Sequence, residues 1–290
     1  MKDTIALRIV HETNPGKYFP ALFLLAERPE TGLRLTGAHR YSVVKEWLRA
    51  GLKDRTPLGA RTRNAWGDLR LRLQLSRLRD ETVLLAFAPW DPRMLWFRGL
   101  TARNRVIYHT SWHDWGLDNT PRQPKPAAFK RWLRGVWVRF LGQSEVVIVA
   151  VTQGVADAVQ AATGRAAHVI PHAVPEVFFN AGRARSPAQS PASPGDPLRL
   201  LYVGEISEKK GIPQLREMMG LLKDQPVTLT LVGDGVLAKD LQRDLPPNTR
   251  FLGPVFDRAR LADIAARQDV LLVPSQRTET WEELFGIVIV

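Results

Sequence analysis

The stretch at residues 198–211 reads LRLLYVGEISEKKG, an apolar run that ends at a glycine, with two lysines and a second glycine behind it. A near-continuous apolar run is typical of a parallel strand that is covered on both faces. A glycine at the strand end lets the backbone approach a ligand closely, and a lysine beside a helix start supplies positive charge for a phosphate. The stretch therefore predicts a strand, an anion-binding turn and a helix. Plain turn chemistry without a ligand is the alternative interpretation.

Residues 198–290 repeat this alternation of strand and helix. Near-continuous apolar runs predict strands at 198–204, 227–233, 250–255 and 269–275. Apolar residues at helical spacing predict helices at 212–222 and 258–268. Because the strands alternate with helices, we expect a parallel sheet with right-handed crossovers.

The first part of the chain shows the same alternation less regularly. It predicts strands at 4–10, 82–88, 105–110 and 145–151, and helices at 41–52, 66–79, 126–141 and 154–162. Residues 183–197 are rich in proline and serine and have no periodic pattern, which is typical of a linker. We therefore predict an α/β chain with one parallel-sheet domain at 1–182, a linker at 183–197 and a second domain at 198–290.

Further glycine and acidic turns follow the predicted strands of the second domain. Ligands of open parallel sheets bind outside the carboxyl ends of the strands, so these turns should share one edge of the sheet. A carboxylate just ahead of a glycine at a helix start can accept sugar hydroxyls while backbone amides face a phosphate. A solvated acidic loop is the alternative for that last segment. The turns are Val232-Gly233-Asp234-Gly235, Phe251-Leu252-Gly253, Pro274-Ser275 and Glu283-Leu284-Phe285-Gly286.

The order and spacing of these turns resemble the family-four retaining glycosyltransferases, often called glycosyl transferases group 1. That family has a Gly-Arg-x-x-x-x-Lys-Gly turn, then Val-Gly-x-Gly, Phe-x-Gly, Pro-Ser and Glu-x-Phe-Gly, which opens a Glu-x7-Glu motif. The resemblance is strong over residues 198–290 and weaker over 145–178, where Val169–Val174 matches an Ile-Pro-Asn-Gly-Val turn. It implies a GT-B fold, in which two Rossmann-like parallel-sheet domains face a ligand cleft.

The resemblance also implies roles for residues of the second domain. Lys210 would neutralise the diphosphate of a nucleotide-sugar donor, and amides at Phe285, Gly286 and Ile287 would hold phosphate oxygens. Glu283 would bind hydroxyls of the transferred sugar. The backbone from Gly253 to Val255 would line the base pocket. The remaining donor-site glycines are Gly204, Gly233 and Gly235. The family needs no metal or cofactor, because the lysine and the helix dipoles supply the electrostatic stabilisation.

Two features depart from the family pattern. Glu205 stands where the family has a phosphate-binding arginine, and a carboxylate there repels a diphosphate unless a cation such as Lys209 compensates. The second glutamate of Glu-x7-Glu, which holds the ribose, would be residue 291, one beyond Val290. The family continues with a helix, a strand and a helix, so we expect the second domain to be incomplete. Residues 287–290 have strand propensity, whereas the family makes them helical.

The first domain offers fewer candidates. The predicted strand at 105–110 leads into His109-Thr110-Ser111-Trp112-His113, and the family places a histidine near the donor sugar in this area. Either His109 or His113 fits, and a purely structural histidine is the alternative. The first strand leads into a segment where the family has a glycine-rich acceptor loop, of which Gly16 alone remains.

The net charge of +12 is concentrated in the first half of the chain, where residues 1–150 carry 26 Lys and Arg against 13 Asp and Glu. Such asymmetry favours an anionic partner, and a solvated basic surface is the alternative. The predicted helix at 126–141 mixes basic with aromatic residues, as an interfacial helix on anionic lipid does; core packing with a basic edge fits equally. These residues are Lys130, Arg131, Arg134, Arg139, Trp132, Trp137 and Phe140, and residues 61–79 form a second basic stretch. No nucleic-acid-binding motif is recognised, so no nucleic-acid partner is expected.

The composition narrows the functional class further. The sequence has no cysteine, which excludes disulfides, thiolate metal sites and a cysteine nucleophile. Without an apolar run long enough to span a bilayer, the chain is expected in the cytoplasm, with a peripheral position at the inner face of the membrane. The leading hypothesis is a retaining transferase of hexosyl or related groups, from a nucleotide diphosphate-sugar to a lipid-linked or envelope glycan. The alternative is a non-catalytic, truncated donor-domain protein that binds a membrane or a partner.

Overall fold

The computed structural model describes residues 4–12, 15–40, 57–116, 126–184 and 196–276. The chain divides into two compact units, residues 1–173 and 174–290, and each contains one sheet in which all strand pairs are parallel. This confirms the prediction of an α/β chain with two parallel sheets.

The first unit contains a six-stranded sheet with the order β2-β1-β3-β4-β5-β6. Its strands are β1 (Ile5–His11), β2 (Leu33–Arg40), β3 (Thr82–Ala86), β4 (Arg105–Thr110), β5 (Val146–Ala150) and β6 (His168–Val169). Four of them lie where apolar runs predicted them. β2 and β6, which were not predicted, form the two edges of the sheet. β2 has arginine, glycine and histidine among its residues and none of them is buried, so it carries no apolar run to detect.

Helices cover both faces of this sheet. They are α1 (Pro15–Tyr18), α2 (Pro20–Ala26), α3 (Leu58–Arg77), α4 (Met94–Phe97), α5 (Ala127–Leu141) and α6 (Gln153–Thr163). Residues of α3 to α6 share one core with the sheet, and residues of α1 and α2 border the core on the other face. Helix α3 begins eight residues before the predicted start at residue 66. The predicted helix at 41–52 lies outside the described residues.

The main core of the first unit is built from large aromatic side chains. Tyr108, Trp90 and Trp137 are almost fully buried and pack edge to face. Burying their polar atoms would be costly without partners. The Tyr108 hydroxyl donates to the Phe87 carbonyl at 2.9 Å, and Trp137 Nε1 donates to the Asp91 carbonyl at 3.1 Å. These bonds fix the segment that follows β3, at the carboxyl edge of the sheet.

The second unit contains a four-stranded sheet with the order β10-β7-β8-β9. Its strands are β7 (Leu198–Val203), β8 (Val227–Val232), β9 (Thr249–Phe251) and β10 (Val270–Leu271), and its helices are α7 (Glu176–Ala184), α8 (Ile212–Leu221), α9 (Ala238–Arg243) and α10 (Arg258–Ala266). Helix α7, which the sequence analysis counted with the first domain, packs against α10. Arg199 at the start of β7 pairs with the nearly inaccessible carboxylate of Asp269, beside β10, at 2.8 Å.

In the part of the chain that the structure describes, no helix combines the length and the hydropathy that a membrane span requires.

Candidate functional site

The strand order of the second unit identifies one edge as a ligand-binding position. From β7 the chain moves to β8 and β9 on one side, and then returns to place β10 on the other side of β7. Such a reversal is a topological switch point, and ligands of open α/β sheets bind in the crevice outside the carboxyl ends of the strands there. The turns singled out in the sequence follow β7, β8, β9 and β10, so the sheet brings them to this edge.

The turns after β7 and β8 lie against each other through their glycines. Gly233 has a φ of +149°, and a Cβ atom there would lie 1.8 Å from the Gly204 carbonyl oxygen. A Cβ on Gly235 would lie 2.3 Å from the carbonyl oxygen of Ile206. Two backbone hydrogen bonds join the turns. The Gly204 amide donates to the Val232 carbonyl and the Ile206 amide donates to the Asp234 carbonyl, both at 2.9 Å. Gly233 and Gly235 are therefore needed for the packing of the turns themselves, a role that the ligand-based interpretation had not included.

The turns after β7 and β10 also meet. Gly211 has a φ of +76°, and a Cβ there would lie 2.2 Å from the Pro274 carbonyl oxygen. The backbone N–H of Gln276 donates to the Lys209 carbonyl at 2.8 Å. The two lysines and the Pro274-Ser275 pair are thus neighbours at the switch point. Helix α8 begins directly after Gly211, so its free N–H groups and positive dipole end lie at the same place.

The carboxylate of Glu205 is paired within its own turn. Its Oε2 atom lies 2.9 Å from Nζ of Lys209, and both side chains are partly exposed. The pair has no net charge, so Lys209 compensates the acid that replaces the arginine of the family pattern. Lys210, the next residue, is half-buried and ends a short 3-10 turn from Glu208. Its position directly before Gly211 places it beside the start of α8.

The β9 turn completes this edge. Gly253 adopts a φ of +70°, and its carbonyl accepts a bond of 3.0 Å from the Gly233 amide. Val255 is half-buried and lies just before Asp257, whose side chain caps α10. Ser207 was not singled out from the sequence. It is buried in the β7 turn, and its Oγ atom has no hydrogen-bond partner among the described residues. Serine is common in turns, so nothing in the sequence marked it.

The last predicted segment lies outside the described residues. Glu283, Phe285, Gly286 and Ile287 belong to residues 277–290, and their roles therefore stay predictions. The described part of the chain ends at Gln276, immediately after the Pro274-Ser275 pair.

In the first unit, His109 belongs to a cluster of rings at the carboxyl edge of the sheet. Its ring centroid lies 4.8 Å from that of Phe19 and 5.7 Å from that of His172. His11, at the end of β1, stacks on Tyr18 at 4.7 Å and contacts the edge of Phe19 at 5.7 Å. Three histidines from distant parts of the chain therefore meet in one cluster with Tyr18 and Phe19. The sequence analysis had singled out His109 alone of these three; the shared position of His11 and His109 at strand ends was the available signal.

This environment keeps His109 neutral. Burial, together with repulsion by His172 and His11, lowers the pKa of His109 to about 3. Burial also lowers the pKa of His172, although a bond to the Tyr18 backbone opposes the change. A neutral imidazole is at the same time a donor and an acceptor of hydrogen bonds. Among the described residues, no group of three or more His, Asp or Glu side chains is arranged to hold a metal ion.

His113 lies in a different environment. It is exposed, and a Cβ on Gly154, in the first turn of α6, would lie 3.8 Å from its ring. Thr152 caps that helix by accepting a bond from the Val155 amide. Gly16 lies in α1, the short helix that follows β1, and is exposed. The structure therefore separates the two histidine candidates, one inside the ring cluster and one beside a helix N-terminus.

A buried ion-pair network lies where β1 and β3 end. Arg93 is paired with both Asp91 and Glu12, the latter at 3.1 Å from its Nη2 atom. Burial alone would lower the pKa of Arg93, but the two carboxylates outweigh that effect and raise it. The Glu12 amide also donates to the Ala86 carbonyl at 3.0 Å. The network holds the β1 and β3 turns together beside the ring cluster. The sequence alone did not reveal the network, because Glu12 is far along the chain from Asp91 and Arg93.

A family model matches the second domain. Residues 197–290 match the model of the family described as Glycosyl transferases group 1, which confirms the resemblance carried by the turns of this domain. No curated protein matches the chain.

Solved structures match both units. Anabaena HepE, solved in complex with UDP and glucose, is 17% identical, with a TM-score of 0.56 over 98% of this chain and 77% of that chain. The lipopolysaccharide outer core galactosyltransferase WaaB is 13% identical, with a TM-score of 0.54 over the same shares. Sucrose-phosphate synthase from Thermosynechococcus elongatus is 15% identical, with a TM-score of 0.53 over 98% of this chain and 77% of that chain. At these identities the likeness shows the fold, and that fold is GT-B.

Proposed function

We propose that this chain, which has the GT-B fold and matches glycosyl transferases group 1 over residues 197–290, moves a sugar from a nucleotide diphosphate-sugar to an acceptor. The observation that carries the proposal is the convergence of three turns at the switch point of the second sheet. They bring close-packed glycine backbone, a helix N-terminus and Lys210 to one place. We propose that this combination binds a diphosphate without a metal. The complexes of HepE with UDP and with UDP-glucose support the same ligand class.

Lys210 is the residue on which donor binding rests in this proposal. Lys209 is paired with Glu205 at 2.9 Å, whereas Lys210 is half-buried and lies directly before Gly211 and the start of α8. Its contact with a phosphate would be a charge-assisted hydrogen bond, which contributes about 1.5–3 kcal/mol. Glu283 would accept hydroxyls of the transferred sugar, and amides near Phe285–Ile287 would hold the phosphate oxygens.

Titration with a panel of nucleoside diphosphates tests this role. Lys210→Ala should raise the dissociation constant of the preferred nucleotide by about tenfold to a hundredfold. Lys223→Ala is the matched control, because Lys223 is exposed beyond the other end of α8. The control should bind like the wild type. Unchanged affinity in Lys210→Ala would remove this lysine from the site.

The chemistry that we propose proceeds with retention of the anomeric configuration. The acceptor attacks from the face that the diphosphate leaves, and the departing phosphate takes the acceptor proton. The protein's task is then to stabilise an oxocarbenium-like state and the charge that develops on the leaving group, so no protein nucleophile is needed. We further propose that the transferred group is a hexose or a related sugar and that no metal takes part.

We assign the contact with the donor sugar to His109 rather than to His113. The rings of Phe19 and His172 hold His109 in place, and its low pKa keeps it neutral, so it can hydrogen-bond a sugar hydroxyl without being deprotonated first. Loss of one preorganised hydrogen bond of this kind costs about a hundredfold in turnover. We therefore expect kcat to fall by about a hundredfold in His109→Gln and by less than about tenfold in His113→Gln. The reverse order would move the assignment to His113.

The acceptor in this proposal is a lipid-linked or envelope glycan, and the enzyme acts at the inner face of a membrane. The basic excess of residues 1–150 supports this location. A non-catalytic binding protein is the second candidate, and Glu205 in place of the family's arginine is the observation that favours it. Release of nucleoside diphosphate from a nucleotide-sugar by the full chain would exclude that candidate.

A further inference from the structure

Helix α3 carries two apolar stripes that face in opposite directions. Leu71 and Leu75 are buried in the core of the first unit. Trp66, Leu69 and Leu73 are spaced i, i+3 and i+7, and their exposed fractions are 71%, 44% and 53%. At 3.6 residues per turn, Leu71 lies about 200° from both Leu69 and Leu73. The second stripe therefore points directly away from the core.

Arginines border this outward stripe. Arg63, Arg70 and Arg77 follow one another at intervals of seven residues, so they form a row along one side of it. All three are exposed, and none is ion-paired with a described residue. On the other side, the guanidinium of Arg72 lies 4.6 Å from the ring centroid of Trp96 in α4, which is 61% exposed. The outward face thus combines large apolar side chains in its centre with cations along its edges.

The structure gives a different account of α5, the helix whose sequence first suggested an interfacial position. Its Trp137, Phe140 and Leu133 are buried in the core, and Trp132 is its one exposed tryptophan. Core packing with a basic edge therefore describes Trp137 and Phe140, two of the four aromatic residues of α5. The outward aromatic and aliphatic surface lies on α3 and α4 instead.

We propose that the outward face of α3, with Trp66, Leu69, Leu73 and the neighbouring Trp96, inserts into the headgroup region of an anionic lipid bilayer. An exposed apolar stripe edged with cations is the surface by which an amphipathic helix lies in a membrane interface. A second copy of the chain fits this face poorly, because a two-fold contact would bring the arginine rows of the two copies together. The inference deepens the proposed location of the enzyme, but it does not depend on the transfer reaction.

Flotation of the full chain with lipid vesicles tests this interface. One vesicle set is phosphatidylcholine alone, and the other contains phosphatidylglycerol as one lipid in three. The wild type should float with the anionic vesicles and stay in solution with the neutral ones. The triple variant Trp66→Ser/Leu69→Ser/Leu73→Ser should lose at least about tenfold in partitioning. Arg63→Gln/Arg70→Gln/Arg77→Gln should lose about fivefold for each arginine at low salt.

A matched control comes from the second unit. Leu221, Val236 and Phe256 are at least 80% exposed, and their replacement by serine should leave flotation unchanged. Equal melting temperatures and equal nucleotide binding would show that the α3 variants are folded. The proposal is wrong if the wild type does not float with anionic vesicles, or if the α3 triple variant floats as well as the wild type. It is also wrong if that variant changes the sedimentation of the chain instead, because the face would then be a contact between protein molecules. None of these results bears on whether Lys210 binds the donor.

Discussion

At the scale of single residues, the histidines of the first unit show how an environment fixes a chemical state. His109 and His172 come from distant parts of the chain, and burial lowers the pKa of both. His109 is held between Phe19 and His172, so its proton would have to enter a crowded apolar space. The folded state therefore holds the His109 ring in its neutral form, so we expect acid to destabilise the fold.

This leads to a prediction for stability. The folded pKa of His109, about 3, lies below the ordinary value of 6.5 that it regains on unfolding. Between these values the unfolded chain binds the extra proton, so stability is full above about pH 6.5 and is lost as the pH falls toward 3. One such proton changes the free energy of unfolding by about 1.4 kcal/mol for each pH unit. His172, whose folded pKa is also lowered, contributes in the same direction.

Urea unfolding at pH 7 and at pH 5 measures this effect. The difference between the two pH values should be smaller in His109→Gln than in the wild type. His168→Gln is the control, because His168 is exposed on the edge strand β6. An unchanged pH difference in His109→Gln would contradict the account of the ring cluster.

At the residue scale, the sequence indicated the turns at the edge of the second sheet better than it indicated the first-unit cluster. Gly204, Lys210, Gly233 and Gly253 lie in contiguous turns, and their spacing along the chain is itself the signal. The ring partners of His109, and Glu12 as a partner of Arg93, meet these residues only through the fold, so the sequence holds no local trace of those contacts. The pairing of Lys209 with Glu205 is intermediate, because i,i+4 spacing makes the pair feasible and the structure shows it formed.

At the scale of secondary-structure elements, buried parallel strands were the most predictable part. β3, β4, β5, β7 and β8 are apolar on both faces, and such runs are detectable in one sequence. Edge strands and short helices could not be predicted in this way, because they form only through packing against the rest of the fold. α7 illustrates this: a helix of nine residues is marginal alone, and in the structure it packs against α10. The sequence also could not predict which side of α3 faces the core. Apolar residues lie on two opposite sides of this helix, so its sequence has no single apolar face.

Two glycines of α8, one that caps its start and one inside its last turn, allow a matched comparison. Gly211 caps α8 at a φ of +76° with no space for a Cβ, whereas Gly220 lies within α8 and would place a Cβ in open space. Gly211→Ala should lower the free energy of unfolding by more than about 2 kcal/mol and weaken nucleotide binding. Gly220→Ala should raise the free energy of unfolding by up to about 1 kcal/mol, because alanine has the higher helix propensity.

Chemical denaturation and nucleotide titration of the two variants provide the measurement. Similar stability of Gly211→Ala and Gly220→Ala would mean that the contact between the β7 and β10 turns does not hold the site together.

At the scale of the whole molecule, the chain joins a basic unit to one that carries the proposed diphosphate site. Each unit has its own sheet and its own core, as expected for domains of this size. The first unit supplies the ring cluster and the outward face of α3, and the second supplies the turns around Lys210. This division suits an enzyme that takes a soluble donor and an acceptor held at a membrane.

The most direct test of the central claim is turnover of nucleotide-sugars by the full chain, with the anomer of the released sugar recorded by NMR before it equilibrates. The account predicts release of nucleoside diphosphate from at least one nucleotide-sugar in the presence of a chelator, with the sugar leaving in its original anomeric configuration. It predicts a loss of about a hundredfold in kcat/KM in Lys210→Ala and no loss in Lys223→Ala. Binding without any turnover, an inverted product, or full activity in Lys210→Ala would contradict it.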